Sequence, residues 1–164
     1  MTHFKTITEK DIKELVPFAE KLWKEHYYTC LDKGFTDYAF EKFLSEAAIK
    51  QQLDEGSSYY YVYTDESDDR AGYFSFYPIN GRMFLSKIYL DKEYRGKGLS
   101  VDILEFIKSE ARKKDLHEIF LHVNRNNIGS IEVYKHLGFY VEEEIDTYIG
   151  DGFVSRDYVM GMQI

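Results

Sequence analysis

A glycine-bearing turn between an apolar run and an amphipathic segment is the feature that most constrains this chain. The apolar run at residues 83–90 predicts a strand, and apolar residues from Leu99 to Ala111 recur at helical spacing. The sequence Arg95-Gly96-Lys97-Gly98 lies between the two. A further apolar run at residues 117–123 predicts a second strand after the helix. A strand, a helix and a strand in this order predict a parallel pair with a right-handed crossover.

The same turn predicts an anion-binding site. A helix start has unpaired backbone N–H groups and the positive end of the helix dipole, and glycines let a bulky anion approach those groups closely. Arg95 and Lys97 add positive charge. The turn contains neither Gly-x-x-x-x-Gly-Lys-Ser/Thr nor Gly-x-Gly-x-x-Gly, which excludes the two commonest phosphate loops. A turn with solvated charges is the alternative interpretation.

A second motif spans residues 127–139 and follows another predicted strand. Asn127 is a candidate N-cap, and Ile131, Tyr134 and Leu137 share one helical face. Gly138 stands where a helix is expected to end. By itself, this pattern predicts a short capped helix.

Together, the two motifs resemble those of the GNAT N-acetyltransferase superfamily. Residues 95–100 are similar to its Arg/Gln-x-x-Gly-x-Gly/Ala motif, with Ser100 in place of the usual Gly or Ala. Residues 127–139 are similar to its Asn-x-x-(Ala/Ser)-Ile-x-x-Tyr-x-x-Leu-Gly-Phe motif. Serine is small and keeps its backbone N–H, so we expect phosphate binding at this turn to tolerate Ser100. The resemblance extends over residues 84–139.

The resemblance implies acetyl-CoA as co-substrate and assigns residues to it. Tyr134 matches the superfamily's tyrosine that donates a proton to the leaving thiolate, which makes it the predicted catalytic residue and places it beside the cofactor. A helix-face aromatic is the alternative interpretation of Tyr134. Asn127 and Ser130 are expected near the pantetheine or adenine end. The pantetheine amides are expected to pair with the strand backbone where two central strands separate, at Ile88, Tyr89 and Leu90. The pyrophosphate is expected on the turn, at Arg95, Gly96, Lys97, Gly98, Leu99 and Ser100.

The sequence leaves the general base open. Some members of the superfamily carry an acidic residue on the strand before the turn, but here that position is Ser86, followed by Lys87. His122 is one candidate because the free pKa of histidine is close to neutral. A chain of water molecules leading to bulk solvent is the other. The expected oxyanion donor is a backbone N–H on the strand that ends at Leu90.

Composition restricts the class of protein. A chain of 164 residues can bury one core, so we expect a single domain over residues 1–164. The net charge of −8 argues against a nucleic-acid partner. One cysteine, Cys30, and scattered histidines predict neither a disulfide nor a metal site. Because no segment has the length of a membrane span or the pattern of a signal peptide, we expect a cytoplasmic protein without a membrane partner, as a monomer or homodimer.

Hydrophobic periodicity predicts the order β-α-α-β-β-β-α-β-α-β-β. A capping box at Thr8 and Asp11 opens the first helix. Gly34 is expected to break the chain, and Thr36 or Asp37 to cap a second helix that ends near residue 56. Two predicted hairpins, over residues 57–77 and 139–162, flank the strand–helix–strand unit. We therefore expect an α/β fold with a mixed sheet and helices on both faces, which the GNAT resemblance also implies.

The predicted function is acetyl transfer from acetyl-CoA to a primary amine by direct attack in a ternary complex. Residues 36–53 and 148–152 resemble parts of bacterial polyamine acetyltransferases. The candidate ligands for ammonium groups are acidic residues of the first two helices: Glu25, Asp32, Asp37 and Glu41. We therefore expect a small cationic acceptor such as a polyamine. The alternatives are a peptide, protein or antibiotic amine, and a non-catalytic acyl-CoA-binding module.

Overall fold

One seven-stranded sheet runs through the computed structural model, which describes residues 1–164. The strands are Thr2–Thr6 (β1), Ser58–Thr64 (β2), Ser67–Ile79 (β3), Arg82–Leu90 (β4), Glu118–Asn124 (β5), Tyr140–Gly150 (β6) and Phe153–Gln163 (β7). The α-helices are Ile12–Tyr27 (α1), Lys33–Leu44 (α2), Glu46–Asp54 (α3), Leu99–Lys113 (α4) and Ile128–His136 (α5). Two single 3-10 turns, Glu9–Asp11 and Lys92–Tyr94, precede α1 and α4. None of the five helices has the length and apolar character that a membrane span needs.

The sheet is mixed, as the sequence predicts. Its strand order is β1-β2-β3-β4-β5-β7-β6. The neighbours β4 and β5 are parallel and are joined through α4, whereas every other pair is antiparallel. The α/β fold class and the strand–helix–strand unit are therefore confirmed.

The second predicted helix is in fact two helices. Ser45 is extended, with φ −66° and ψ 161°, and its Oγ accepts a hydrogen bond from the backbone N of Ala48 at 3.2 Å, so it ends α2 and caps α3. The cap of α2 is Asp32, and the predicted caps Thr36 and Asp37 lie within that helix. Gly34 also lies within its first turn and does not break the chain. The prediction of one helix was wrong because the apolar stripe continues across the serine cap.

The helices cover both faces of the sheet and form two cores. On one face, Ile103 and Ile107 of α4 are fully buried in the larger core. On the other face, Leu15 of α1 is fully buried in the smaller core, which α1, α2 and α3 share. Tyr73 and Phe74, adjacent on β3, belong to different cores because successive strand side chains point to opposite faces.

A β-bulge in β4 changes which side chains face each layer. Ser75 of β3 pairs with Lys87, whereas Phe76 pairs with Leu85, so Ser86 is an extra residue in the ladder. Before the bulge, the odd-numbered residues of β4 pack against the α4 core, and after it the even-numbered ones do. On the sheet face toward α1, α2 and α3, β4 therefore presents four side chains: Phe84, Ser86, Lys87 and Tyr89.

Candidate active site

The turn before α4 has the geometry of an anion site. Gly96 and Gly98 have φ values of 75° and 81°, a region that favours glycine. The backbone N–H groups of residues 96–101 form no hydrogen bond within the protein. A Cβ atom added at either glycine would meet no other atom within 4 Å, so the space in front of the turn is open. The predicted residues of this turn therefore fit a bulky anion such as a pyrophosphate.

Side chains around the turn hold it against the end of β4. The Nε of Arg95 donates to the carbonyl oxygen of Leu90 at 3.3 Å, and Lys21 of α1 pairs with Asp91 at 3.2 Å. Asp91 also accepts from the backbone N of Glu93. Arg95 and Lys97 are exposed beside the glycines, whereas the side chain of Leu99 is buried in the larger core. Leu99 can therefore contribute only its backbone N–H to an anion.

A cleft opens next to the turn because β4 and β5 separate. Their pairing covers Met83 with Ile119 and Phe84 with Phe120, and no further pair follows. The predicted residues 88–90 pair with β3 on their other side only. Their edge toward β5 therefore has free backbone groups, at the position where the GNAT resemblance places the pantetheine arm.

Three tyrosines come together between α1, β4 and α5. The hydroxyl groups of Tyr27 and Tyr89 share a hydrogen bond of 2.8 Å. Burial raises the pKa of Tyr27 to about 12. Burial also raises the pKa of Tyr134, with a smaller contribution from Tyr27, and Tyr134 in turn contributes to the raised pKa of Tyr89. The predicted catalytic residue is therefore half-buried, protonated at neutral pH and electrostatically coupled to the other two phenols.

Asn127 connects α5 to α1. It is buried and occupies the N-cap position of α5, as predicted, but its side chain does not cap the helix. Its Oδ1 instead shares a hydrogen bond of 2.9 Å with Nε2 of His26. Ser130 is half-buried in the first turn of the same helix. The roles of Asn127 and Ser130 toward the pantetheine or adenine end stay predictions.

A cavity of about 330 Å³ lies under α1 and α2 and is lined by residues of both β4 and β5. Most of its wall is apolar and aromatic, with Trp23, Phe35 and Phe43 from the two helices and Phe84 and Tyr89 from β4. The polar residues of the wall come from α3, β4, β5 and β7: Gln52, Ser86, Lys87, His122, Asn124, Ser155 and Asp157. A small apolar cavity with a few convergent polar groups is typical of a ligand site.

His122 and Asp157 form the titratable part of that wall that lies on β5 and β7. His122 keeps exposed surface, yet partial burial of its ring lowers its pKa, which Asp157 partly offsets. Burial raises the pKa of Asp157, whose carboxylate accepts from Oγ of Ser155 at 2.9 Å. The His122 imidazole is therefore neutral near pH 7 and able to accept a proton.

The acidic residues of α2 lie away from the cavity. Asp37 pairs with Lys33 at 2.7 Å, and Glu41 is exposed. Phe35, Ala39 and Phe43 form the face of α2 that lines the cavity, and positions two residues away point to the opposite side of a helix. Glu25 and Asp32 do not line the cavity either. The candidate ammonium ligands chosen from the sequence are therefore not at this site, and Asp157 is the carboxylate that is.

Two charged cavity residues, Lys87 and Asp157, and their neighbour Gln52 were not predicted from the sequence. A signal existed for Lys87, because a lysine within an apolar strand run is unusual and invites a functional explanation. A sequence signal also existed for the residues of α2 that line the cavity, because Phe35, Ala39 and Phe43 recur every four positions. Asp157 lies in a strand of mixed polarity, where no sequence signal distinguishes it.

Comparison with known proteins decides the family. The model described as "Acetyltransferase (GNAT) family" matches residues 16–139. The chain belongs to the GNAT acetyltransferase family. This confirms the resemblance seen in the two motifs, and acyltransferase is the enzyme class of the family.

Individual relatives of this GNAT chain agree on the fold and are less informative about the acceptor. A probable spermine N(1)-acetyltransferase of Bacillus subtilis subsp. natto (strain BEST195) is 37% identical over 68 residues, which span 41% of this chain and 45% of that protein. The PaiA N-acetyltransferase from Thermoplasma acidophilum in complex with coenzyme A has a TM-score of 0.81 at 20% identity, over 100% of this chain and 99% of that one. A GCN5-related N-acetyltransferase from Rhodopseudomonas palustris also has a TM-score of 0.81, at 10% identity, over 100% and 96% of the two chains.

Proposed function

We propose that this GNAT chain transfers an acetyl group from acetyl-CoA to the primary amine of a small molecule in a ternary complex. The observation that carries the proposal is the position of the cleft between β4 and β5. The free edge of β4 at residues 88–90 leads toward the turn at residues 95–100, and Tyr89 of the same edge also lines the aromatic cavity. A donor held at the turn and an amine held in the cavity can meet in the cleft, so that the protein itself need not be acetylated.

The donor side is supported by the chemistry of the turn and of β4. The free N–H groups at residues 96–101, with Arg95 and Lys97 beside them, suit a pyrophosphate. The free backbone edge at residues 88–90 suits the amides of a pantetheine arm. When bound, acetyl-CoA supplies the activated acyl group as a thioester. Asn127 contacts His26 through Oδ1 and interacts with the Tyr27 hydroxyl, so one of its two amide N–H donors remains for the same ligand.

We infer that Tyr134 is the proton donor for the departing thiolate. Burial raises its pKa, which keeps the phenol protonated over the whole physiological range. The Tyr27–Tyr89 hydroxyl pair lies in the same cluster and, since one O–H is used in the shared hydrogen bond, leaves one further donor close to Tyr134. A buried, protonated hydroxyl is suited to general acid catalysis and has no evident use in a protein that only binds acyl-CoA.

We infer that His122 accepts the proton of the attacking amine. Ser86 stands where some relatives carry an acidic residue, and it has no basic group. His122 lines the cavity, is neutral near pH 7 and has Asp157 nearby to stabilise the imidazolium that forms. The water chain that the sequence left open remains the alternative route for the same proton.

The cavity favours a small amine with an apolar body as the acceptor. A polyamine is a second candidate, favoured by the similarity of 68 residues to the probable spermine acetyltransferase. The cavity has a single carboxylate, Asp157, and a buried lysine, whereas a polycation is best held by several carboxylates. We therefore place a monoamine before a polyamine.

A thiol-release screen tests the proposal. Purified protein and acetyl-CoA are incubated with polyamines, amino acids, aminoglycosides or short peptides, and free thiol is measured over time. We expect release that depends on one class of amine and is lost in Gly98→Glu. Tight CoA binding without thiol release for any amine would identify a non-catalytic acyl-CoA-binding module instead.

A further inference from the structure

Lys87 is a buried cation that opens onto the acceptor cavity. Only 8% of the residue is exposed, and the β-bulge at Ser86 turns its side chain toward the cavity. Its Nζ donates to Oε1 of Gln52 at 3.0 Å and to Oγ of Ser86 at 3.2 Å. An ammonium group has three N–H donors, so one remains after these two contacts with uncharged oxygens.

Gln52 holds this ammonium group in place. Its Oε1 accepts from the hydroxyl of Tyr59 as well as from Lys87, and its Nε2 donates to the carbonyl oxygen of Phe43 at 2.9 Å. The Tyr59 ring lies 5.4 Å from Nζ of Lys87. These contacts fix the amide between α2, β2 and β4, so the lysine is positioned at the cavity wall and does not extend into bulk solvent.

No carboxylate of the protein compensates the charge of Lys87. The pKa of Lys87 is lowered to about 8, and burial is the sole cause. The group is still mostly charged at neutral pH, and an unpaired buried charge is destabilising. An anion that enters the cavity with a ligand would provide the missing partner.

The opposite charge in the cavity lies elsewhere. The Asp157 carboxylate accepts from Oγ of Ser155, and His122 and Arg125 lower its pKa, whereas no carboxylate contributes to the pKa of Lys87. The cavity therefore has a cationic part at Lys87 and an anionic part at Asp157, with aromatic wall around them. Such a charge pattern is complementary to a ligand that carries both an ammonium and an anionic group.

We propose that Lys87 is an anion-binding subsite and that the acceptor is an amine of amino-acid size with an apolar body and a carboxylate. The carboxylate accepts from the free N–H of Lys87, the apolar body contacts Phe35 and Phe43, and the amine lies toward His122 and Asp157. That the amine is acetylated rests on the proposed function. Binding of the carboxylate by Lys87 does not depend on turnover.

Direct binding tests the subsite without catalysis. Calorimetry compares the binding of 3-phenylpropionate with that of its uncharged amide, 3-phenylpropionamide. Both ligands are measured with wild type, Lys87→Met and Lys87→Arg. Lys50→Met is the control, because Lys50 is an exposed lysine on the helix that carries Gln52. Wild type should prefer the acid by about 10- to 100-fold, the range of a hydrogen bond between charged groups. The preference should vanish in Lys87→Met, survive in part in Lys87→Arg and be unchanged in Lys50→Met. Equal binding of acid and amide by wild type, no binding of the acid, or an unchanged preference in a folded Lys87→Met protein would overturn the subsite.

Turnover separates this subsite from other roles of Lys87. Two pairs of acceptors differ only in a carboxylate: phenylalanine with phenethylamine, and 6-aminohexanoate with hexylamine. Wild type should acetylate at least one acid more efficiently than its partner, and Lys87→Met should abolish that difference in kcat/KM. An equal fall in kcat for both members of each pair, with a shifted pH profile, would make Lys87 a base and overturn the subsite. A preference for spermidine over all four would overturn the acceptor class. If no amine is acetylated while 3-phenylpropionate still binds through Lys87, the proposed function fails and the subsite stands.

Discussion

The Nζ atom of Lys87 on β4 donates to Oε1 of Gln52 on α3 across 3.0 Å. This contact joins the strand that leads into the anion-binding turn to a helix that closes the cavity. The free edge of β4 lies in the cleft, and several of its side chains face the cavity under α1 and α2. Its last residue, Leu90, accepts a hydrogen bond from Arg95. In the proposed ternary complex, β4 would therefore position the donor and the acceptor relative to each other.

Raising the pH should release a carboxylate from the cavity. The pKa of Lys87 is lowered to about 8, so the charged form that binds an anion prevails below that pH and is lost as the pH rises through it. A bound carboxylate stabilises the ammonium and moves the loss to higher pH. Calorimetry with 3-phenylpropionate should therefore show constant affinity near neutral pH and falling affinity above about pH 8. Lys87→Arg should remove this fall, because arginine stays charged. If the affinity of Lys87→Arg falls over the same pH range, a titratable group other than Lys87 causes the fall.

Gly98→Glu should abolish CoA binding and leave the fold intact. The substitution places a side chain and a negative charge in the open space before α4, where a phosphate is expected. Calorimetry should show that the affinity for CoA falls at least about 100-fold, since the anion loses N–H donors and meets a like charge. Gly81→Glu is the matched control, because Gly81 also has a positive φ, 77°, and open space around it but lies in the β3–β4 turn. Unchanged affinity in folded Gly98→Glu protein would contradict the assignment of the turn.

Tyr134→Phe should lower kcat without changing the affinity for CoA. Only the hydroxyl is lost, and general acid catalysis commonly contributes about 10²- to 10⁴-fold. Tyr140→Phe is the control, since that side chain is exposed on β6. Wild-type kcat in Tyr134→Phe, with the chemical step shown to be rate-limiting, would remove Tyr134 from the mechanism.

Asp157→Asn should lower kcat/KM for the amine, whereas Asp37→Asn should not. Asp157 lines the cavity and supports the charge of His122, and Asp37 is paired with Lys33 outside the cavity. We expect a loss of about 10-fold for Asp157→Asn, the size of one charge interaction in a partly buried site. Steady-state kinetics with one acceptor decides this, and equal effects of the two substitutions would contradict the position assigned to the acceptor.

The backbone geometry of the turn at residues 95–100 was predictable because it is local. A phosphate needs consecutive N–H groups at a helix start, so the order Arg95-Gly96-Lys97-Gly98 carries the information by itself. The helix at residues 128–136 and the parallel pair around α4 follow equally from short-range patterns. The cap at Ser45 was missed because the apolar stripe continues across it.

The aromatic cavity was not predictable because its lining depends on pairing between distant residues. Alternation along β4 does not show that Ser86 is an extra residue, since this follows from the register of Ser75 and Phe76 on β3. That register decides whether Lys87 faces the cavity or the α4 core. The position of Asp157 likewise follows from the pairing of β7 with β5, opposite Asn124. Net charge directed attention to Asp37 and Glu41, but overall charge carries no information about which side chains line a cavity.

We propose that donor and acceptor meet in one complex across the cleft between β4 and β5. Initial-rate kinetics, with acetyl-CoA and an accepted amine both varied, tests it most directly. Direct attack in a ternary complex predicts double-reciprocal lines that intersect, and no acetyl group on the protein after incubation with acetyl-CoA alone. Parallel lines together with an acetylated protein would contradict the account, because they are the signature of a covalent intermediate.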